Sequence, residues 1–206
     1  MADDWTRIIV LDTETTGKTS PSKNQILTID ALHATKFTDE NGVTQFKRDG
    51  DLFHGEVARQ PWARIEQEAL QVTGIDIDLW KGESEAEVLG KLVSWIVKNA
   101  GGGYKILCGY NVVFDKRFLH FMFERNPQFK WTNAFSYYQL DVMQLAMWAV
   151  EFGYIEKPAN MRLETVARYL GVWKEGAHDS SVDVDMTLGV LNELNRRIAN
   201  AKETTS

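Results

Sequence analysis

Asp12-Thr13-Glu14 sets two carboxylates two residues apart at the end of a short β-branched run, Arg7-Ile8-Ile9-Val10-Leu11. A strand has a side-chain period of two, so both acids project to the same side. Two such charges repel unless a cation lies between them, and hard divalent ions such as Mg²⁺ take carboxylate oxygens. The competing reading makes Asp12 and Glu14 solvated loop residues that open a turn at Gly17. A second group, Gly109-Tyr110-Asn111-Val112-Val113-Phe114-Asp115, reads as a strand end running into a helix. Asp115 falls in the first helical turn, where a carboxylate equally complements the helix dipole. In the third group, His178-Asp179-Ser180-Ser181-Val182-Asp183, a Glu175-Gly176-Ala177 approach leads to a helix capped by Ser180 or Ser181. That spacing sets an imidazole on a loop above a carboxylate rooted in the helix.

The elements that must position these groups follow from periodicity. Residues 7–11 form a strand buried on both faces. Residues 26–37 and 43–46 form a hairpin about Asp39-Glu40-Asn41-Gly42. Helical spacing predicts a helix over 62–72 with Gly74 as its stop. The Ser84-x-x-Glu87 capping box opens another, which runs to Asn99 and the three glycines 101–103. A strand over 104–110 precedes a helix over 113–123, and further helices are expected over 140–152, 161–170 and 180–198. The order predicts an α/β fold with a mixed central β-sheet flanked by helices, its ligands beyond the carboxyl ends of the central strands.

At 206 residues, 44% hydrophobic and 25% charged, the chain can bury one sizeable core. A single domain with its core over about 7–198 and a polar tail over 200–206 is expected. One cysteine, Cys108, excludes an internal disulfide and any multi-cysteine zinc site. No apolar run approaches membrane-spanning length and the start, Met1-Ala2-Asp3-Asp4, is acidic, so no membrane association and a cytoplasmic location are expected. A net charge of −6 argues against a broad basic surface on nucleic acid, though not against a small site where bound metal supplies the positive charge.

Taken in order, the three groups resemble the DEDD exonuclease superfamily, in its DEDDh (DnaQ-like) branch of polymerase proofreading subunits, ribonuclease T and oligoribonuclease. Leu11-Asp12-Thr13-Glu14-Thr15-Thr16-Gly17 is similar to the first exonuclease motif, Asn111 to Asp115 to the second, and His178 with Asp183 to the third. The resemblance runs from about Arg7 to Ile198. It implies a ribonuclease-H-like fold and a divalent-metal-dependent 3′→5′ exonuclease that releases nucleoside 5′-monophosphates from single-stranded DNA or RNA, in DNA repair or RNA processing. It implies two Mg²⁺ or Mn²⁺ ions held by Asp12, Glu14 and Asp183, with Asp115 assisting, and His178 taking the proton from the attacking water. It also implies that Thr15, Thr16, Asn111 and Phe114 meet the terminal nucleotide. The partner implied is a single-stranded 3′ end, with a polymerase or replication complex as a further one. The homo-oligomeric state stays open. The alternatives are an endonuclease of the same fold, and a nucleic-acid-binding or polymerase-docking module with an idle site. Tyr110 stands where many relatives carry His, Thr73 precedes Gly74-Ile75 where several have His, and Ser180 replaces a common alanine.

Other signals carry less. The three glycines close a helix rather than open one, so a phosphate-loop reading fails. His33, His54 and His120 lack partners at recognisable spacing. Lys116, Arg117 and Arg125 read as a solvated helix face; most of the aromatic residues read as core, while some of Trp62, Phe129, Trp131 and Phe135 fall in loops where a ring could stack on an unpaired base.

Overall fold

The computed structural model describes residues 6–100, 105–176 and 180–203. The glycines at 101–103 and His178 therefore lie outside the described residues. In chain order the elements are β1 (Arg7–Thr15), β2 (Ile26–Thr38), β3 (Thr44–Arg48), β4 (Phe53–Glu56), α1 (Gln67–Thr73), α2 (Glu85–Ala100), β5 (Ile106–Gly109), α3 (Val112–Arg125), α4 (Trp131–Ala134), β6 (Gln139–Asp141), α5 (Val142–Glu151), α6 (Leu163–Leu170) and α7 (Ser180–Glu203).

The strands form one mixed sheet in the order β3-β2-β1-β5-β6, with β4 also paired to β2. β1 runs antiparallel to β2 and parallel to β5, which runs parallel to β6. Alternation along β1 feeds two cores. Ile8 and Val10 join Ala146, Val166, Val184 and Leu191 on the face covered by α5, α6 and α7. Ile9 and Leu11 join Leu89, Leu92, Phe118 and Leu119 on the face covered by α2 and α3. Cys108 is buried in β5, where burial pushes its thiol far above the ordinary range and leaves it inert. Among the described residues no helix is long and apolar enough to cross a membrane.

Four expectations change. β1 continues through Asp12-Thr13-Glu14 to Thr15, so the two acids belong to a half-buried strand and not to a solvated loop. The segment 62–66 is not helical, because its backbone is claimed by the loop after β1. Arg64 N–H donates to Lys23 O at 2.7 Å and Glu66 N–H to Thr16 O at 2.7 Å, which leaves α1 to start at Gln67. Residues 139–141 pair with β5 before α5 begins, so β6 replaces the first turn of the expected helix. Finally, α7 runs to Glu203, past the point where a polar tail was expected.

Candidate active site

Continuing the alternation of β1, Asp12 and Glu14 fall on the face covered by α7, while Thr13 faces α3. A β-bulge between Glu14 and Thr15 ends the regular β1–β2 register just after the pair. Asp183 enters from the first turn of α7, which packs on β1 and β2. Asp12 and Asp183 line one cleft of about 510 Å³, together with Tyr110, Asn111, Arg162 and Glu164. This cleft opens at the carboxyl ends of the parallel strands β1 and β5, where the topology expects a ligand. A second hollow of about 400 Å³ lies on the outer face of α5, among Met143, Met147, Trp148 and Glu151. With one carboxylate and no other titratable group, it has the size of a site without the chemistry.

Asp115 reaches the same strand end from α3 and is buried. Thr13 Oγ1 donates to Asp115 Oδ1 at 2.7 Å, so the residue between the two acids of β1 holds the third. Burial pushes the Asp115 carboxyl up to about 7; the Thr13 hydrogen bond opposes the shift and Asp141 adds to it. Asp12 is raised well above the carboxylate range by desolvation, then by the charges of Asp115, Glu14, Asp183 and Asp30. Neither Asp12 nor Asp115 pairs with a basic side chain among the described residues. As they stand, no three acid, imidazole or thiol groups among the described residues enclose a common ion position. The donor set nonetheless fits hard divalent ions: every candidate ligand offers carboxylate oxygen, and a cation relieves the repulsion that raises Asp12.

The expected nucleotide-reading residues separate. Asn111 caps the N-terminus of α3 with φ 62°, and among the described residues it alone has a positive φ without being glycine. Asn tolerates this left-handed geometry better than most residues, and the conformation turns the chain sharply from β5 into α3. Its side chain is exposed on the cleft, and its N–H donates to Asp141 Oδ1 at 3.1 Å. Thr15 and Thr16 are buried, and their hydroxyls donate to Gly17 O at 2.9 Å and Arg64 O at 2.7 Å. Both serve the internal wiring of the loop. Phe114 is half-buried against Phe118, with ring centroids 4.9 Å apart, and is not among the cleft-lining residues.

Sequence reasoning missed three supports. Thr13 was passed over between its acidic neighbours. Asp141 caps α5 by accepting from Met143 N at 3.1 Å and Gln144 N at 3.3 Å, and the same oxygen holds Asn111. An acid directly before an apolar helix is a legible cap, but its reach to Asn111 is not. Asp30, buried in β2 opposite Asp12, is the third.

A family model, RNase_T, described as exonuclease, matches residues 9–191. The chain is similar in structure to the zinc-ion-bound form of an E. coli ExoI–ssDNA complex, with TM-score 0.75 and 22% identity over 97% of this chain and 42% of that one. It is similar to E. coli exonuclease I in complex with a dT13 oligonucleotide, with TM-score 0.74 and 22% identity over 97% and 43%. It is also similar to an ExoI/SSB-Ct complex, with TM-score 0.73 and 21% identity over 95% and 42%. The chain thus spans well under half the length of these solved proteins. No curated protein matches it in sequence.

Proposed function

Since the chain belongs to the RNase_T exonuclease family, of the DEDD type with a ribonuclease-H-like fold, we propose that it removes nucleotides from the 3′ end of single-stranded nucleic acid by divalent-metal-dependent hydrolysis. The observation that carries this reading is that Asp12 from β1 and Asp183 from α7 line one cleft, with Glu14 and Asp115 near enough for their charges to act on Asp12, and with Asp12 and Asp115 unneutralised by any described base.

Two bound hard cations would supply charge for the phosphoryl oxygens and a water of lowered pKa. The chain's own residues do the rest. Asp12, Glu14 and Asp183 bind, and Asp115, fixed by Thr13, supports them from the opposite face of β1. His178, two residues before the start of α7, takes the proton from the attacking water, a role that suits an imidazole near neutral pH. Arg162 is the basic side chain lining the cleft, and it meets the phosphate backbone there. Asn111 borders the terminal nucleotide. The solved relatives named above hold single-stranded DNA or an SSB-Ct segment rather than a polymerase. Single-stranded DNA is therefore the first substrate to try, with RNA beside it.

The test incubates the protein with matched DNA and RNA oligomers labelled at the 5′ end, with Mg²⁺, Mn²⁺ or excess EDTA. Stepwise shortening from the 3′ end with either metal and none in EDTA is expected. Full activity in EDTA, or cutting of a circular single strand, would overturn it.

A further inference from the structure

Asp30 has no part in that chemistry, yet it lies at the centre of the sheet with no solvent exposure, directly opposite Asp12 in the β1–β2 pairing. A buried carboxylate without partners is strongly unfavourable, so its contacts should have a purpose. Its Oδ1 lies 2.9 Å from His54 Nδ1 on the neighbouring strand β4. Its Oδ2 accepts a hydrogen bond from Ser180 Oγ, which also lies 3.2 Å from Thr28 Oγ1. Thr28, Asp30 and Ser180 are all buried. Ser180 is the first residue of α7, two residues after His178 and three before Asp183. It was expected as a helix cap; its hydroxyl is instead turned onto the sheet.

The rest of α7 explains why such a bond matters. Val184, Met186, Val190, Leu191 and Leu194 bury the helix in the core, but apolar packing is non-directional and leaves rotation and axial position loosely specified. Farther along, Asn192 is locked to β3: Phe46 N–H donates to Asn192 Oδ1, and Asn192 Nδ2 donates to Phe46 O, each at 2.8 Å. Ser180 and Asn192 are therefore two polar pins separated by about 18 Å of helix, at 1.5 Å per residue. Asp183 sits one turn inside the first pin.

We propose that the hydrogen bond from Ser180 to Asp30, backed by His54, is a clamp that fixes where α7 begins, and so positions Asp183 against Asp12. Asp30 and Ser180 are then positioning residues, and the proposal rests on the nuclease reading of the cleft. Ser180→Ala leaves Oδ2 of a buried carboxylate without its donor while His54 still holds Oδ1, so it should be worse than the double change Asp30→Ala/Ser180→Ala, which removes both partners.

The experiment measures kcat and KM on a single-stranded oligomer for Ser180→Ala, Asp30→Ala, Asp30→Asn and the double variant, with hydrogen–deuterium exchange across α7 for each. Ser180→Ala and Asp30→Ala should each lower kcat by about 10–100-fold, the usual loss for supports of a metal site. KM should stay nearly unchanged, and exchange should rise over residues 181–186 but not around Asn192. Asp30→Asn keeps an oxygen for Ser180 and should recover most of the rate. The double variant should outperform Ser180→Ala. The clamp is overturned if Ser180→Ala leaves kcat and local exchange unchanged, if exchange rises uniformly along the chain, or if Asp30→Asn is no better than Asp30→Ala. A wild-type protein that cleaves nothing would sink the nuclease reading alone, because exchange at the start of α7 still tests the clamp.

Discussion

Asp115 makes the plainest pH prediction of any single residue. Its carboxyl moves from an ordinary 3.8 to about 7 on folding, chiefly by burial. The protonated form is thus favoured in the folded state, so its stabilisation is complete below 3.8 and is lost as pH rises through about 7. In EDTA the melting temperature should fall over that interval, and Asp12, raised in the same direction, should deepen the fall. Burial lowers the pKa of His33 and His120, while at His54 the lowering by burial is outweighed by Asp30 and Glu56 together and the pKa is raised, so the wild-type curve is to be compared with that of Asp115→Asn to isolate the carboxyl. Mg²⁺ binds the deprotonated native site and should raise the melting temperature most at the alkaline end. Identical pH curves for the two proteins would mean that Asp115 is solvated like an ordinary carboxylate. Arg162 supports a separate prediction. If it meets phosphate in the ground state and the transition state alike, Arg162→Ala should raise KM about tenfold and leave kcat within a few-fold; a fall confined to kcat would place it at the reacting phosphorus instead.

At the scale of elements, the loop after β1 and the strap at 60–66 behave as one unit. Thr16 Oγ1 and Asn24 Nδ2 both donate to Arg64 O, at 2.7 and 3.0 Å, while Glu66 accepts from Lys18 N and Thr19 Oγ1. Gly17 is enclosed between them. A Cβ there would stand 2.3 Å from Asn24 Nδ2 and 2.5 Å from Glu66 Cδ, and both side chains are tethered by hydrogen bonds. Gly17→Ala should therefore cost about 1–3 kcal/mol in denaturant unfolding, the usual range for overpacking; a neutral result would show that the strap yields freely. This unit also marks the boundary of what the sequence discloses. The Ser84–Glu87 box forms as its spacing predicts, with Glu87 N–H donating to Ser84 Oγ at 3.3 Å and Ser84 N–H to Glu87 Oε2 at 3.0 Å, because both signal and contact are local. The apolar run of β1 and the stripes of α2, α3 and α6 were legible for the same reason. The strap, β4 and β6 were not, since their backbone partners lie in distant segments and leave no periodic trace. The site divides likewise. The ordered acidic motifs could be read in the chain, whereas the Thr13–Asp115 and Asp30–Ser180 bonds exist only once four elements, β1 with α3 and β2 with α7, have met.

For the whole molecule, 29 acidic residues stand against 23 basic, and the described cleft offers one lining arginine. On the proposed reading, nucleic acid should be gripped at its end rather than along its length. With about two to four phosphates neutralised at roughly 0.7 each, the log–log salt slope for a single strand should be no steeper than about −3. Affinity measured at several salt concentrations with Asp183→Asn checks this; a slope near −6 would reveal an extended basic track. The placement of α7 has a consequence in time. The clamp joins residues 150 positions apart, and Asp183 lies beyond its later end. At about 5–20 residues per second, translation needs roughly 8–30 s to travel from the first partner to the second. Throughout that interval the emerging chain holds its early carboxylates without the helix that completes them. On the proposed reading, the last-made element is the one that completes the site, so no nascent chain could act before α7 has docked.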